Sequence, residues 1–151
     1  MPKLDLEAIP QTNRTGYPPP IDEPVQGRWQ RRLGAFAGLS ELGASHVTLK
    51  PGAWSSQRHW HEGEDEFLVM LSGEAVLIED EGETLLRAGD CAAWPKGVAN
   101  GHHLVNRSAR PCTFVAIGKV ALSDCHYPDI DLHLDGATQS FTRKDGKPHQ
   151  D

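Results

Sequence analysis

Beyond Gly27 the chain is cut every few residues by Gly, Pro, Asp or Asn, and no stretch between the cuts repeats apolar residues at the 3.6-residue period of a helix. What lies between them are short apolar or alternating runs at 33–39, 44–49, 54–61, 66–71, 74–78, 83–86, 103–106 and 113–117. Runs of that length, separated by Ser72-Gly73, Glu81-Gly82, Gly89-Asp90 and Asn100-Gly101, read as strands joined by tight antiparallel turns. The expected fold is therefore all-β: an antiparallel barrel or sandwich of two facing sheets. A helix is conceivable at 25–32, but it has few apolar positions and falls short of the ~12 residues at which an isolated helix becomes marginal.

Length allows one such domain, since 151 residues fit a single core. Residues 1–26 hold six of the 11 prolines and read as an amino-terminal arm; 27–134 read as the barrel, and 135–151 as a polar tail able to form a hairpin. Lys and Arg number 15 against 21 Asp and Glu, a net charge of −6 with no basic patch, which argues against nucleic acid as a partner. No apolar stretch reaches the ~18 residues of a membrane span, so no membrane partner is expected. The first residues, MPKLDLEAIPQ, lack the apolar core of roughly 7 to 15 residues that a secretory signal carries, and the expected location is the cytoplasm. Cys91, Cys112 and Cys125 are widely spaced with no Cys-X-X-Cys pair, and all three are read as reduced.

The chemistry concentrates at His59-Trp60-His61. Side chains two apart on a strand share a face, so the two imidazoles stand about 7 Å apart at the backbone, a spacing that suits two ligands of one metal. Glu66 follows five residues later, where the next antiparallel strand can return a carboxylate to that face. A third imidazole can come from His102 or His103, behind the Asn100-Gly101 turn. On one strand His102 shares its face with Leu104 and Asn106, and His103 with Val105, which favours His102. Glu62, Glu64 and Asp65 read as a solvated turn, with Glu64 the substitute carboxylate. Inward-facing Glu66 would carry Leu68 and Met70 inward with it, giving the metal an apolar wall.

These residues resemble the two motifs of the cupins, small double-stranded β-helix barrels. Gly52, His59, His61, Glu66 and Gly73 match the first motif with one extra residue in its first spacer. Gly89, Pro95, Gly97, His102 and Asn106 are similar to the second, with four residues rather than two between Gly97 and His102. The resemblance implies a jelly-roll barrel with one divalent transition metal (Fe, Mn, Ni, Cu or Zn) held by His59, His61, Glu66 and His102. The run from Asn100 to Ser108, with the later Tyr127-Pro128-Asp129, looks like a bacterial subgroup of single-domain cupins, some of which carry a sugar-phosphate isomerase label.

Three uses of such a site compete. A metal-dependent enzyme on a small organic molecule, of oxygenase or isomerase type, is the first; a sensor binding a small ligand through the metal is the second, and a closed storage site the third. Glu64, His103, Cys91 and Tyr127 are acid or base candidates by chemistry alone, and no cluster of Lys and Arg near the motifs promises a phosphate site. Both faces of the run at 67–71 are apolar, so Phe67, Val69 and Leu71 need cover, and a homodimer is expected to supply it.

Overall fold

The computed structural model describes residues 2–119 and 122–149. In chain order it contains β1 (Gln11–Thr12), β2 (Arg28–Arg32), a one-turn helix α1 (Leu33–Phe36), β3 (Leu42–Leu49), β4 (Trp60–His61), β5 (Glu66–Ser72) and β6 (Glu74–Glu79). There follow β7 (Gly82–Arg87), β8 (Cys91–Trp94), β9 (His103–Val105), β10 (Cys112–Lys119), β11 (Cys125–His126), β12 (His133–Asp135) and β13 (Ser140–Thr142). All the ladders are antiparallel, and the fold is the all-β one read from the turns. One sheet has the order β1-β2-β3-β10-β5-β8, a second β13-β12-β11-β4, and a third β7-β6-β9. Among the described residues no helix is long and apolar enough to cross a membrane.

The six-stranded and three-stranded sheets share one core. Val47 and Leu49 of β3, Leu68 and Met70 of β5 and Phe114 of β10 pack with Ala75 and Leu77 of β6 and Leu104 of β9. Alternation along β5 follows the sequence pattern: Leu68 and Met70 are buried, whereas Phe67 and Leu71 are 41% and 46% exposed. The turn into β6 requires Gly73, whose φ is 69° and whose absent Cβ would come within 2.8 Å of the Pro111 carbonyl oxygen.

Several sequence expectations are corrected. The segment 25–32 is not helical: a short 3-10 turn at Glu23–Val25 precedes β2, whose backbone is fixed by pairing Arg28 with Leu49 through to Arg32 with Ser45. The run 33–39 is no strand; its first four residues fold as α1, with Gly34 lying so close to β3 that a Cβ would meet the Leu42 carbonyl at 2.8 Å. Within 54–61 only Trp60–His61 forms a strand, with single bridges at Trp54 and His59. β4 and β5 occupy different sheets, so Glu66 does not return on the strand beside the histidines but reaches them from another sheet.

The proline-rich residues lie against the body of the protein. Ile9 and Val25 are buried, and the Arg31 guanidinium donates to the Leu6 and Ile9 carbonyls. Tyr17 and Ile21 join Ile130, Leu134 and Phe141 around a second core of Cys125, Tyr127 and Leu132. Phe141 sits on β13, which pairs with β12 in a hairpin.

Candidate metal centre

His59 and His102 form an antiparallel pair that exchanges both backbone hydrogen bonds, at 3.3 and 3.0 Å, so the histidines of the two motifs stand directly opposite one another. Two residues on, His61 lies opposite Cys125 on β11. Glu66, the first residue of β5, is paired with Trp94 of β8, and the Trp94 ring stacks on that of His102 with centroids 3.9 Å apart. Four side chains thus converge from three directions. His59 Nε2 is 3.2 Å from His61 Nε2, His61 Nε2 is 2.8 Å from Glu66 Oε1, and His59 Nε2 is 3.8 Å from the same oxygen. His102 Nε2 contacts the other oxygen, Oε2.

The outer nitrogens decide the tautomers. His59 Nδ1 lies 2.7 Å from the Gln57 carbonyl and His102 Nδ1 2.9 Å from the Asn100 carbonyl. A carbonyl only accepts, so each Nδ1 carries a hydrogen, and Nε2 is the ring atom turned to the centre, able to donate to Glu66 when it carries a proton and to ligate an ion when it does not. His61 Nδ1 is 3.2 Å from Glu64 Oε2, a carboxylate–imidazole contact of the kind that orients metal-binding histidines. Ligand atoms about 2.1 Å from one ion lie ~3.0 to 3.4 Å apart at adjacent octahedral or tetrahedral positions. The 3.2 Å separation falls within that range, the 2.8 Å one lies just below it and the 3.8 Å one above, and the donor set of imidazoles and a carboxylate fits a divalent transition ion.

Electrostatics tie the cluster together. Burial opposes ionisation of Glu66, but hydrogen bonds from His102, His59 and His61 outweigh it and hold the carboxyl far below the usual carboxylate range. Burial likewise works against a charged His61, yet contacts with Cys125 and Glu66 raise its pKa to about 10. Burial pushes the Glu64 carboxyl up, which sets it apart from an exposed turn residue.

The sequence reading brought forward four of these residues and missed others. Cys125 was not placed near the centre, yet its sulfur belongs to a group with His59 and His61 whose ligand atoms lie within 4.8 Å of one another. Cys125 is distant in sequence, and β11, only two residues long, carries no periodic signal. Tyr127 tilts over His59 at 5.6 Å between ring centroids. Glu64 is only 17% exposed and lies against His61, correcting its reading as part of a solvated turn; Glu62 does lie outside the cluster, on His126. His103 is also outside it: its ring is buried edge-on to Trp54, and its Nδ1 donates to the Ser56 carbonyl. Arg58 faces away from the centre. It clamps Asp129 with two 2.8 Å hydrogen bonds and donates to the Gly101 carbonyl, fixing the backbone just before His102. Cys91 is exposed on β8.

His59, Glu64, Glu66 and His102 form one wall of a cavity of about 310 Å³, whose other walls include Leu68, Phe114, Ser45 and Arg28. That volume lies at the small end of the range for ligand cavities.

A cupin domain model matches residues 45–118. No curated protein matches the chain. Among solved structures, a sugar phosphate isomerase of the cupin superfamily from Silicibacter pomeroyi is 42% identical over 99% of this chain and 97% of its own, with a TM-score of 0.93. A candidate sugar phosphate isomerase from Acidithiobacillus ferrooxidans (22% identity, 82% and 81% covered, TM-score 0.72) shares the fold. So does the polyketide cyclase RemF from Streptomyces resistomycificus (17% identity, 79% of each chain, TM-score 0.63). With its motif residues gathered on an antiparallel β scaffold that matches the Silicibacter protein end to end, the chain belongs to the cupin superfamily.

Proposed function

We propose that this protein is a metal-dependent enzyme acting on a small organic molecule, with one divalent transition ion (Fe, Mn, Ni, Cu or Zn) held by His59, His61, Glu66 and His102. The observation that carries the reading is the convergence of three imidazole Nε2 atoms on one half-buried carboxylate at the wall of an open cavity. When bound, such an ion supplies Lewis acidity, and four protein ligands leave coordination positions free for a substrate or dioxygen. The chain's own part is to hold that geometry: Gln57 and Asn100 fix two tautomers, Glu64 orients His61, and Trp94 stacks against His102. Leu68 and Phe114 make part of the cavity apolar, which limits water beside the ligands.

Of the two reaction types, isomerisation is favoured by the 42% identical relative named a sugar phosphate isomerase. A sensor that binds its ligand through the same four residues is the alternative. Turnover decides between them: with ferrous iron, manganese, nickel or zinc supplied separately, a panel of sugar phosphates, catechols and thiols is followed for isomerisation and oxygen uptake. Conversion with one metal and none after chelation is expected. Ligand binding that depends on His102, with no conversion under any metal, would replace the enzyme by the sensor.

We place the protein in the cytoplasm as a homodimer, with a small molecule rather than nucleic acid as its partner. Phe67 and Leu71 remain exposed on the outer face of the six-stranded sheet, beyond the cover of the chain's own amino-terminal residues, and a second copy would bury them. Sedimentation at micromolar concentration should give a dimer; a monomer would refute this.

A further inference from the structure

Two cations, Arg28 and the exposed Lys119, line the cavity, and among the described residues neither forms an ion pair with a carboxylate. Arg28 is on β2, and its side chain shares a face with Gln30; both line the cavity that His59 and His102 close on another side. Its guanidinium has five N–H donors. Nη1 donates to the Ser55 carbonyl at 3.3 Å and Nη2 to the Arg14 carbonyl at 3.1 Å, while Nε is buried with no partner. Among the described residues Arg31, Arg58 and Arg107 each meet a carboxylate; Arg28 meets none, like Arg14, Arg32, Arg87, Arg110 and Arg143, but of these six it alone lines the cavity.

That arrangement is costly without a ligand. Burial works against the charge and draws the pKa of Arg28 below its ordinary value, with Tyr17 opposing. An arginine nevertheless keeps its proton, so the deficit is met by bringing in a negative charge rather than by losing the positive one. The two carbonyls hold the guanidinium in place and leave the second N–H of each terminal nitrogen for another acceptor. Glu64 and Glu66 line the same cavity and repel an anion from their side, which directs it to Arg28 and leaves the rest of the molecule toward His59 and His102.

We propose that Arg28 anchors the substrate of this cavity by its oxyanion group, a carboxylate or a phosphate ester, while the uncharged part of the same small molecule faces the histidine cluster. The proposal rests on the reading of the cavity as a small-molecule site, and it deepens that reading by naming the substrate class. Both head groups match the planar fork of a guanidinium, and a lysine would not replace it. The sequence reading looked for a cluster of Lys and Arg near the two motifs; Arg28 lies outside both and reaches the cavity through the β2–β3 register.

The test is calorimetry with glycerol 3-phosphate, glycerate and uncharged glycerol, on the native protein, Arg28→Gln and Arg28→Lys, each with its metal and after chelation. At least one of the two anions should bind the native protein, the tighter of them identifying the head group, and glycerol should not. Arg28→Gln should weaken that anion by about 10- to 100-fold, the range expected for charged hydrogen bonds. Arg28→Lys, which keeps the charge but not the fork, should lie between, and thermal denaturation of each variant checks that it is folded. Because a carboxylate can bind a metal directly, the Arg28-dependent part must persist after chelation; this also separates failure of the anchor from failure of the metal assignment. Equal affinity in native protein and Arg28→Gln, or no binding of either anion at millimolar concentration, would overturn the proposal.

Discussion

Asn106→Leu is expected to lower the free energy of unfolding by about 3 kcal/mol, a large share of what a domain of this size possesses. Asn106 is completely buried and uses its whole hydrogen-bonding capacity. Its amide nitrogen donates to the Leu49 carbonyl at 2.9 Å and the Arg110 carbonyl at 2.8 Å, and its oxygen accepts from the Ser108 amide at 3.0 Å and the Ser108 hydroxyl at 2.7 Å. It therefore stitches the end of β3 to the loop after β9. Leucine has similar bulk but answers none of these groups, and leaving several buried partners unsatisfied costs ~1 to 3 kcal/mol for each that water cannot reach. The shift should show in urea denaturation as a lower midpoint with an unchanged slope. The neighbouring Arg107, whose ion pair with Glu83 is half exposed, should shift the midpoint far less when replaced by Ala. The Asn that closes the second motif is thus a structural residue, and its loss would lower activity only through folding.

The same residue shows how far a sequence can be read. Parity along one strand separated His102 from His103, and in the structure His102 reaches Glu66 while His103 turns to Trp54. Parity also turned Leu68 and Met70 inward and left Phe67 and Leu71 outside, because β5 is seven residues long and every residue reports its face. Legibility ended where elements are short or the register is long-range. Cys125 reaches the histidine cluster through a two-residue strand paired across 64 positions, which no local pattern announces. Arg28 fell in the stretch 25–32, where a helix was conceivable but poorly supported and no strand was read, so its side chain had no defined face. Pairing with β3 supplied one. Glu64 read as solvent-exposed because acidic turns usually are; the proximity of His61 and the burial around it are tertiary facts.

The second large effect concerns the metal. Removing both His59 and His61 deletes two of the four proposed ligands and leaves Glu66 with His102 alone. Loss of an outer-shell partner of a ligand typically costs 10- to 100-fold in metal affinity, and loss of two ligands from one ion should exceed that, taking occupancy to background. The fold should survive, since neither ring belongs to the main apolar core and His59 and His61 keep their backbone pairs with His102 and Cys125. Circular dichroism of the variant should remain that of a β protein. Elemental analysis of the native protein beside His59→Ala with His61→Ala is the most direct measurement. One transition ion per chain in the native protein and none in the double variant is the expected result, and equal metal in the two would contradict the assignment.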